Sequence, residues 1–161
     1  MSEITIRFVT CDDPISILIR VQAGICMPFT PSHTEALSRD GTGWTGQHID
    51  GGCLKRPLDY YLKYPNPREC QVKIPVTDEQ FDAFHSYLEA HIGSPYDWRA
   101  IEGFGLTELN AHMPGGQICS ALMHMCARAG KIFPFPVITP AHHISPRDHM
   151  LMLSAIVEID H

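Results

Sequence analysis

The first ten residues alternate between apolar and polar side chains. Ile4, Ile6 and Phe8 are separated by single polar residues, one of which is Arg7. A period of two is typical of a β-strand with one buried face. The same period returns over residues 69–76, whose sequence is ECQVKIPV. The pattern therefore predicts two strands, one at the start of the chain and one near its middle.

Residues 31–50, PSHTEALSRDGTGWTGQHID, have the pattern of a β-hairpin. Asp40 and Gly41 supply the turn, because this pair of residue types readily adopts the backbone of a tight connection. With the turn at this point, the two arms place His33 roughly opposite His48. The hairpin is therefore predicted to bring two histidines to neighbouring positions.

Residues 77–93 have the apolar spacing and the end signals of a helix. Thr77 is predicted to cap the helix, Gln80 completes a capping box, and Gly93 marks the end. The spacing predicts a buried stripe that consists of Phe81, Phe84, Leu88 and Ile92. This segment is the clearest helix in the sequence.

A second helix is predicted near residues 115–130, GGQICSALMHMCARAG, with Gly130 at its end and Cys119 in its first turn. Its apolar face is expected to contain Cys119, Leu122, Met123 and Cys126. Shorter helices are expected to begin near Pro14 and after Ser145. Strands and helices that do not alternate strictly favour the α+β class.

Composition narrows the class of protein. The chain has 161 residues, 44% of them hydrophobic, which fits one domain spanning 1–161. Twelve Lys and Arg against eighteen Asp and Glu give a net charge of −6, whereas nucleic-acid binding needs clustered positive charge. The N-terminus lacks a signal-peptide pattern, and the apolar runs are shorter than the roughly 18 residues of a membrane span. We therefore expect a soluble protein, cytoplasmic when synthesised, with no nucleic-acid partner and no membrane span.

Cys119 is the candidate nucleophile. A helix N-terminus favours a thiolate, because its unpaired backbone N–H groups carry partial positive charge. The same N–H groups could stabilise the oxyanion of a tetrahedral intermediate, and Gly115 and Gly116 leave room for substrate nearby. The alternative is that Cys119 only begins the apolar stripe of its helix.

His33 is the candidate base, and Glu35 is its candidate orienting residue. Two residues apart on a strand, they point to the same face about 6.5 Å apart. A carboxylate at this position could hold the imidazole in one tautomer and stabilise the imidazolium. The neighbouring arm offers three other candidates for the orienting role: Thr45, Gln47 and His48. We favour Glu35 because its charge supports an imidazolium better than a neutral amide does.

Three motifs together resemble those of the circularly permuted branch of the NlpC-type papain-like superfamily, which includes YiiX-like proteins and phage-encoded relatives. The first is SHTEALSRDGTGWTGQHIDGGCLKRP at residues 32–57, which is similar to the family's histidine hairpin. The second is GSPYDW at residues 93–98, and the third is ICSALMHMCARAG at residues 118–130. The order of histidine before cysteine is what marks the permuted branch. Ala121 departs from the pattern, since many members have Glu there.

The resemblance implies a papain-like fold with a small antiparallel sheet packed against helices. It also implies that Cys119 is the nucleophile, His33 the base and Glu35 the orienting residue, with Tyr96 lining the substrate cleft. The implied activity is that of an amidase or peptidase that cleaves an amide or ester bond through a thioester, without a cofactor or a catalytic metal. Peptides, peptidoglycan peptides and acyl lipids are the substrate classes that it suggests.

Two other functions stay open at the level of sequence. Ten histidines and six cysteines could form a metal site in a metal-binding protein or metallohydrolase. A catalytically silent binding module could also have the same fold. The remaining cysteines suggest no role of their own, and Cys126 is expected in the core.

Overall fold

The computed structural model describes residues 1–22, 29–100, 116–133 and 141–157. Five antiparallel strands form one sheet in the order β4-β3-β2-β1-β5. The strands are β1 (Ser2–Thr10), β2 (His33–Leu37), β3 (Trp44–His48), β4 (Gly52–Arg56) and β5 (Arg68–Val76). The helices are α1 (Pro14–Gln22), α2 (Asp78–Ala90), α3 (Cys119–Ala129) and α4 (Pro146–Ser154). Short 3₁₀ turns span Tyr60–Lys63 and Ala141–His143. The α+β class predicted from the sequence is confirmed.

One face of the sheet is apolar and forms the core with α2, α3 and α4. The alternating residues of β1 that were predicted to be buried, Ile4, Ile6 and Phe8, are buried there. They pack in one cluster with Phe84 of α2 and Leu122 of α3. Because side chains alternate along a strand, Arg7 of β1 and its partner Glu35 of β2 point to the other face, and so does His33.

The predicted start of α2 is confirmed, whereas the helix ends earlier than the predicted Gly93. The backbone N–H of Gln80 donates to the Thr77 hydroxyl at 3.2 Å, and the Thr77 N–H donates to the Gln80 side chain at 3.0 Å, which is a complete capping box. The prediction that Ile92 belongs to the buried stripe is wrong, because Ile92 is 49% exposed. The last helical residue of α2 is Ala90, so Ile92 lies beyond the helix and leaves its apolar face.

The turn between β3 and β4 approaches the segment that follows α2. Gly52 has a φ of +75°, and a Cβ there would lie 2.2 Å from the carbonyl oxygen of Ser94. This approach allows the Cys53 N–H to donate to the Ser94 carbonyl at 2.9 Å and the Gly93 N–H to donate to the Cys53 carbonyl at 2.8 Å. Because Gly52 has no side chain, the segment that begins at Gly93 can pack directly against the sheet. Within the described ranges, no helix is long and apolar enough to cross a membrane.

Candidate active site

Glu35 is fully buried on the polar face of the sheet, and Arg7 is its partner from the neighbouring strand. The register of β1 and β2 pairs Arg7 with Glu35. The Arg7 Nε donates to Glu35 Oε1 at 3.0 Å, and Nη2 contacts the same oxygen. The guanidinium, in a residue that is only 2% exposed, also lies 4.2 Å from the centre of the Trp44 ring. Glu35 therefore has its charge compensated within the buried site.

The second oxygen of Glu35 faces two histidines. Nε2 of His48 lies 2.8 Å from Oε2, whereas Nε2 of His33 lies 3.6 Å from it. The two imidazole rings are 4.4 Å apart, which confirms that the hairpin brings His33 and His48 together. The shorter contact belongs to His48, so Glu35 orients His48 directly and supports His33 mainly through charge.

The other candidates for the orienting role point away from this cluster. Thr45 and Gln47 alternate with Gly46 and His48 along β3, so their side chains lie on the opposite face of the sheet. The Gln47 side-chain amide donates to the Ser94 hydroxyl at 2.6 Å. His48 is therefore the only one of the three predicted alternatives that contacts the carboxylate of the cluster.

Gly46 leaves space for the Glu35 side chain. A Cβ on Gly46 would lie 2.7 Å from the Glu35 Cβ, closer than side-chain carbons pack in proteins. Residues opposite each other on antiparallel strands share a face, so any side chain at position 46 would point at Glu35. The glycine is therefore part of the site although it has no functional group.

Cys119 is the first residue of α3, as predicted, and it is 3% exposed. Ile118 is the N-cap residue, and its carbonyl accepts the first intrahelical hydrogen bond, from the Leu122 N–H at 3.0 Å. The first N–H groups of a helix have no intrahelical partner, which leaves them available to an anion beside the thiol. Gly116 is partly buried just before this turn, and Gly115 lies outside the described residues.

The charges of the cluster influence one another. Burial acts to lower the pKa of His33, but the neighbouring sulfur of Cys119 and the Glu35 carboxylate raise it to about 9. Burial acts to raise the pKa of Glu35, yet the neighbouring imidazoles of His33 and His48 hold it well below its usual range. Burial and the charge of His33 lower the pKa of His48 to about 4. The directions of these shifts favour an ionised Glu35, a protonated His33 and a neutral His48.

Tyr96, predicted to line the cleft, lies beside the start of α3. Backbone hydrogen bonds hold it there: the Asp97 N–H donates to the Gln117 carbonyl at 3.1 Å, and the Gln117 N–H donates to the Pro95 carbonyl at 3.3 Å. Burial raises the pKa of the Tyr96 hydroxyl, and the nearby Cys119 sulfur raises it further. The segment 93–98 thus makes backbone hydrogen bonds both to the histidine hairpin, at Cys53, and to the residue just before the cysteine helix, Gln117.

A pocket of about 120 Å³ opens beside His33. His48 and Tyr96, which the sequence analysis named, belong to its lining. The sequence did not single out four other lining residues: Cys11, Asp13, Tyr61 and Tyr64. The Cys11 thiol donates to Asp13 at 2.9 Å, and burial together with this carboxylate raises the pKa of the Cys11 thiol to about 11. Cys11 is therefore a weak nucleophile at neutral pH. For the lining residues that the sequence analysis missed, the one sequence signal is the accumulation of tyrosines at residues 60–64.

Three side chains of the cluster also have the chemistry of metal ligands. His33, Glu35 and His48 each offer one donor atom, and these atoms all lie within 4.8 Å of one another. Two imidazoles and a carboxylate form a ligand set that suits zinc. The site can therefore be considered both for acyl transfer and for metal binding.

Comparison with protein-family models and with curated proteins found no match to this chain. The fold and the site must therefore carry any functional assignment. They define an α+β protein in which a cysteine at a helix start meets a buried cluster of two histidines and a glutamate.

Proposed function

We propose that this protein is a cysteine hydrolase of the permuted NlpC-type papain-like kind, with Cys119 as the nucleophile and His33 as its base. The observation that carries the proposal is the juxtaposition of the two groups. Cys119 begins α3, and its sulfur lies near enough to the buried His33 imidazole to raise the pKa of that ring, in the same direction as the Glu35 carboxylate does. A helix N-terminus and a cationic imidazole both favour the thiolate, which is the reactive form of cysteine.

The proposed reaction is acyl transfer in two halves. The Cys119 thiolate attacks the carbonyl carbon of an amide or ester, and protonated His33 gives its proton to the leaving amine or alcohol as the carbonyl–leaving-group bond breaks. Water then attacks the thioester, while His33 accepts the proton of the water. The acid product leaves, and the thiolate–imidazolium pair is restored. The proposed oxyanion donors for both tetrahedral intermediates are the backbone N–H groups at the start of α3.

Glu35, Arg7 and His48 support this chemistry from behind His33. The Glu35 carboxylate stabilises the imidazolium form, and Arg7 and His48 fix the orientation of the carboxylate through one oxygen each. His48, with a pKa of about 4, is neutral and donates to Glu35 rather than competing for protons. Glu35 therefore acts through a network and not as an isolated third residue.

Tyr96 and the pocket beside His33 are the proposed binding region for the acyl part or the leaving group of the substrate. The pocket, at about 120 Å³, fits a group the size of a side chain. Peptides, peptidoglycan peptides and acyl esters all contain such groups next to a cleavable carbonyl. A negatively charged polymer such as a nucleic acid is disfavoured, because the net charge of the protein is −6.

The test is alkylation with iodoacetamide between pH 5 and 9, followed by peptide mapping. Cys70 is the internal reference, because it is partly exposed and its pKa is raised by burial, whereas Cys119 is 3% exposed. We expect Cys119 to react about tenfold or more faster than Cys70 at pH 7, since only an activated thiol overcomes its lower exposure. His33→Gln should remove this advantage, and His91→Gln at the end of α2 should keep it.

Labelling in urea provides the control, because all thiols then react according to their ordinary acidity. Cys119→Ala should abolish turnover of any peptide, peptidoglycan or ester substrate found by screening. If Cys119 reacts no faster than Cys70 in the folded protein, or if His33→Gln leaves its rate unchanged, the proposed nucleophile and base are wrong.

A further inference from the structure

The donor atoms of His33, Glu35 and His48 lie about as close together as the ligands of one metal ion. Zinc binds imidazole nitrogen and carboxylate oxygen at about 2.0–2.1 Å, which places neighbouring tetrahedral ligands about 3.4 Å apart. The two measured edges are 2.8 Å, between Nε2 of His48 and Oε2 of Glu35, and 3.6 Å, between Nε2 of His33 and the same oxygen. The third edge is within 4.8 Å. Small side-chain movements would therefore suffice to bind an ion.

The surroundings of the three donors meet the other requirements of a zinc site. Arg7 donates to Oε1 of Glu35, so the carboxylate is held from outside while Oε2 stays available, as in metal sites with an outer shell of hydrogen bonds. Nε2 of His33 is buried and makes no hydrogen bond with any described residue. The pocket beside His33 and His48 provides a route for the ion and room for a fourth ligand.

We propose that His33, Glu35 and His48 form a zinc site, and that zinc bound there reversibly blocks the nucleophilic chemistry of Cys119. The site itself needs no assumption about catalysis, whereas the blocking effect rests on the proposed function. An imidazole that donates its electron pair to a metal ion cannot act as the base of Cys119. Zinc would thus switch off the hydrolase without covalent change.

Zinc binding is measured by calorimetry and by competition with a zinc-binding dye, on protein first dialysed against a chelator. The titration uses Cys119→Ser, so that the nucleophile cannot contribute a ligand. We expect one zinc ion per chain. His48→Gln removes a direct ligand. It should weaken zinc binding by at least about 100-fold, because losing even an outer-shell partner of a ligand can weaken metal binding by that much. His91→Gln, made in the same background, should bind as the parent does.

A second variant covers the case in which His48→Gln does not fold. Glu35→Gln retains the size of the side chain and removes its charge, and urea denaturation of both variants shows which of them is native. The zinc site is refuted if a folded variant of either kind binds zinc like the parent. It is also refuted if the Cys119→Ser protein does not bind zinc at all, because the ion would then need the thiol.

The blocking effect is measured in the wild-type protein as the rate of Cys119 alkylation at pH 7. Saturating zinc should slow alkylation about tenfold or more, and excess EDTA should restore the original rate. Unchanged alkylation with zinc bound would overturn the inhibitory role. Slow alkylation of Cys119 before any zinc is added would instead refute the proposed hydrolase, while calorimetry would still decide the zinc site independently.

Discussion

Replacing His149 with leucine should make the fold less sensitive to acid. His149 lies on α4, is 0% exposed, and packs with its ring centre 5.8 Å from that of Phe8 and 6.2 Å from that of His124. Neither of its ring nitrogens has a hydrogen-bond partner among the described residues. Burial, and next the charge of His124, lower the pKa of His149 to about 3 from the ordinary value of 6.5. The folded protein therefore holds this ring in its neutral form.

The sign of the pH effect follows from the lowered pKa. Below pH 6.5 the unfolded chain binds a proton at His149 that the folded chain does not bind, so acid favours unfolding. The difference amounts to about 1.4 kcal/mol per pH unit, or about 2–3 kcal/mol between pH 6.5 and pH 4.5. The stabilising contribution of the neutral ring is complete above pH 6.5 and is lost progressively as the pH falls toward the folded-state pKa of about 3.

Urea denaturation at pH 7.5 and pH 4.5 measures this effect as a difference of differences. His149→Leu changes packing at both pH values equally, so the comparison isolates the proton. The free energy of unfolding of the variant should fall by about 2–3 kcal/mol less than that of wild type over this interval. Met150→Leu, a substitution in the same helix that changes packing without removing a titratable group, serves as the control and should lose as much as wild type. Equal losses in His149→Leu and wild type would show that His149 titrates normally in the folded protein.

Two glycines in and near the site should not tolerate a methyl group. Gly46→Ala places a Cβ 2.7 Å from the Glu35 Cβ, so we expect a loss of about 1–3 kcal/mol in the free energy of unfolding, together with slower Cys119 alkylation. In Gly52→Ala, the new Cβ would lie 2.2 Å from the Ser94 carbonyl oxygen, and alanine would also be strained at φ +75°. We therefore expect the free energy of unfolding to fall by about 2–5 kcal/mol. Gly41→Ala, with φ +70° but no atom within 4 Å, isolates the strain and should lose only about 1–2 kcal/mol. If Gly52→Ala is no less stable than Gly41→Ala, the close approach to Ser94 does not exist in solution.

Local patterns predicted the elements of the fold because their causes are local. The capping box of Thr77 and Gln80 lies within four residues, and the start of α3 at Cys119 follows from an apolar stripe bounded by glycines. The Asp40-Gly41 turn fixed the hairpin, and with it the meeting of His33 and His48. The error at Ile92 arose because apolar periodicity continued past the residue at which the helix ends.

The parts of the site that were missed depend on contacts between distant segments. Arg7 was predicted only as a polar residue of a strand, because its partner Glu35 is 28 positions away and is chosen by strand pairing. The direct contact between His48 and Glu35 depends on side-chain geometry across two strands, and the sequence could offer His48 only as one alternative. Cys11 and Tyr61 reach the pocket through the packing of loops, for which no periodicity exists. A buried acidic residue does imply a cationic partner, so the single arginine of β1 was the available signal.

The register of β1 and β2 links the stability of the core to the electrostatics of the site. A shift of one residue along β1 would turn Arg7 toward the apolar face and leave the charge of Glu35 buried without its cationic partner. The same shift would bring Ile4, Ile6 and Phe8 out of the core, where they are fully buried. The apolar residues on one face therefore exclude the registers in which the charged residues on the other face would be separated. The arrangement of Glu35 is thus fixed mainly by hydrophobic packing on the opposite side of the sheet, and less by the weak net stability of a buried ion pair.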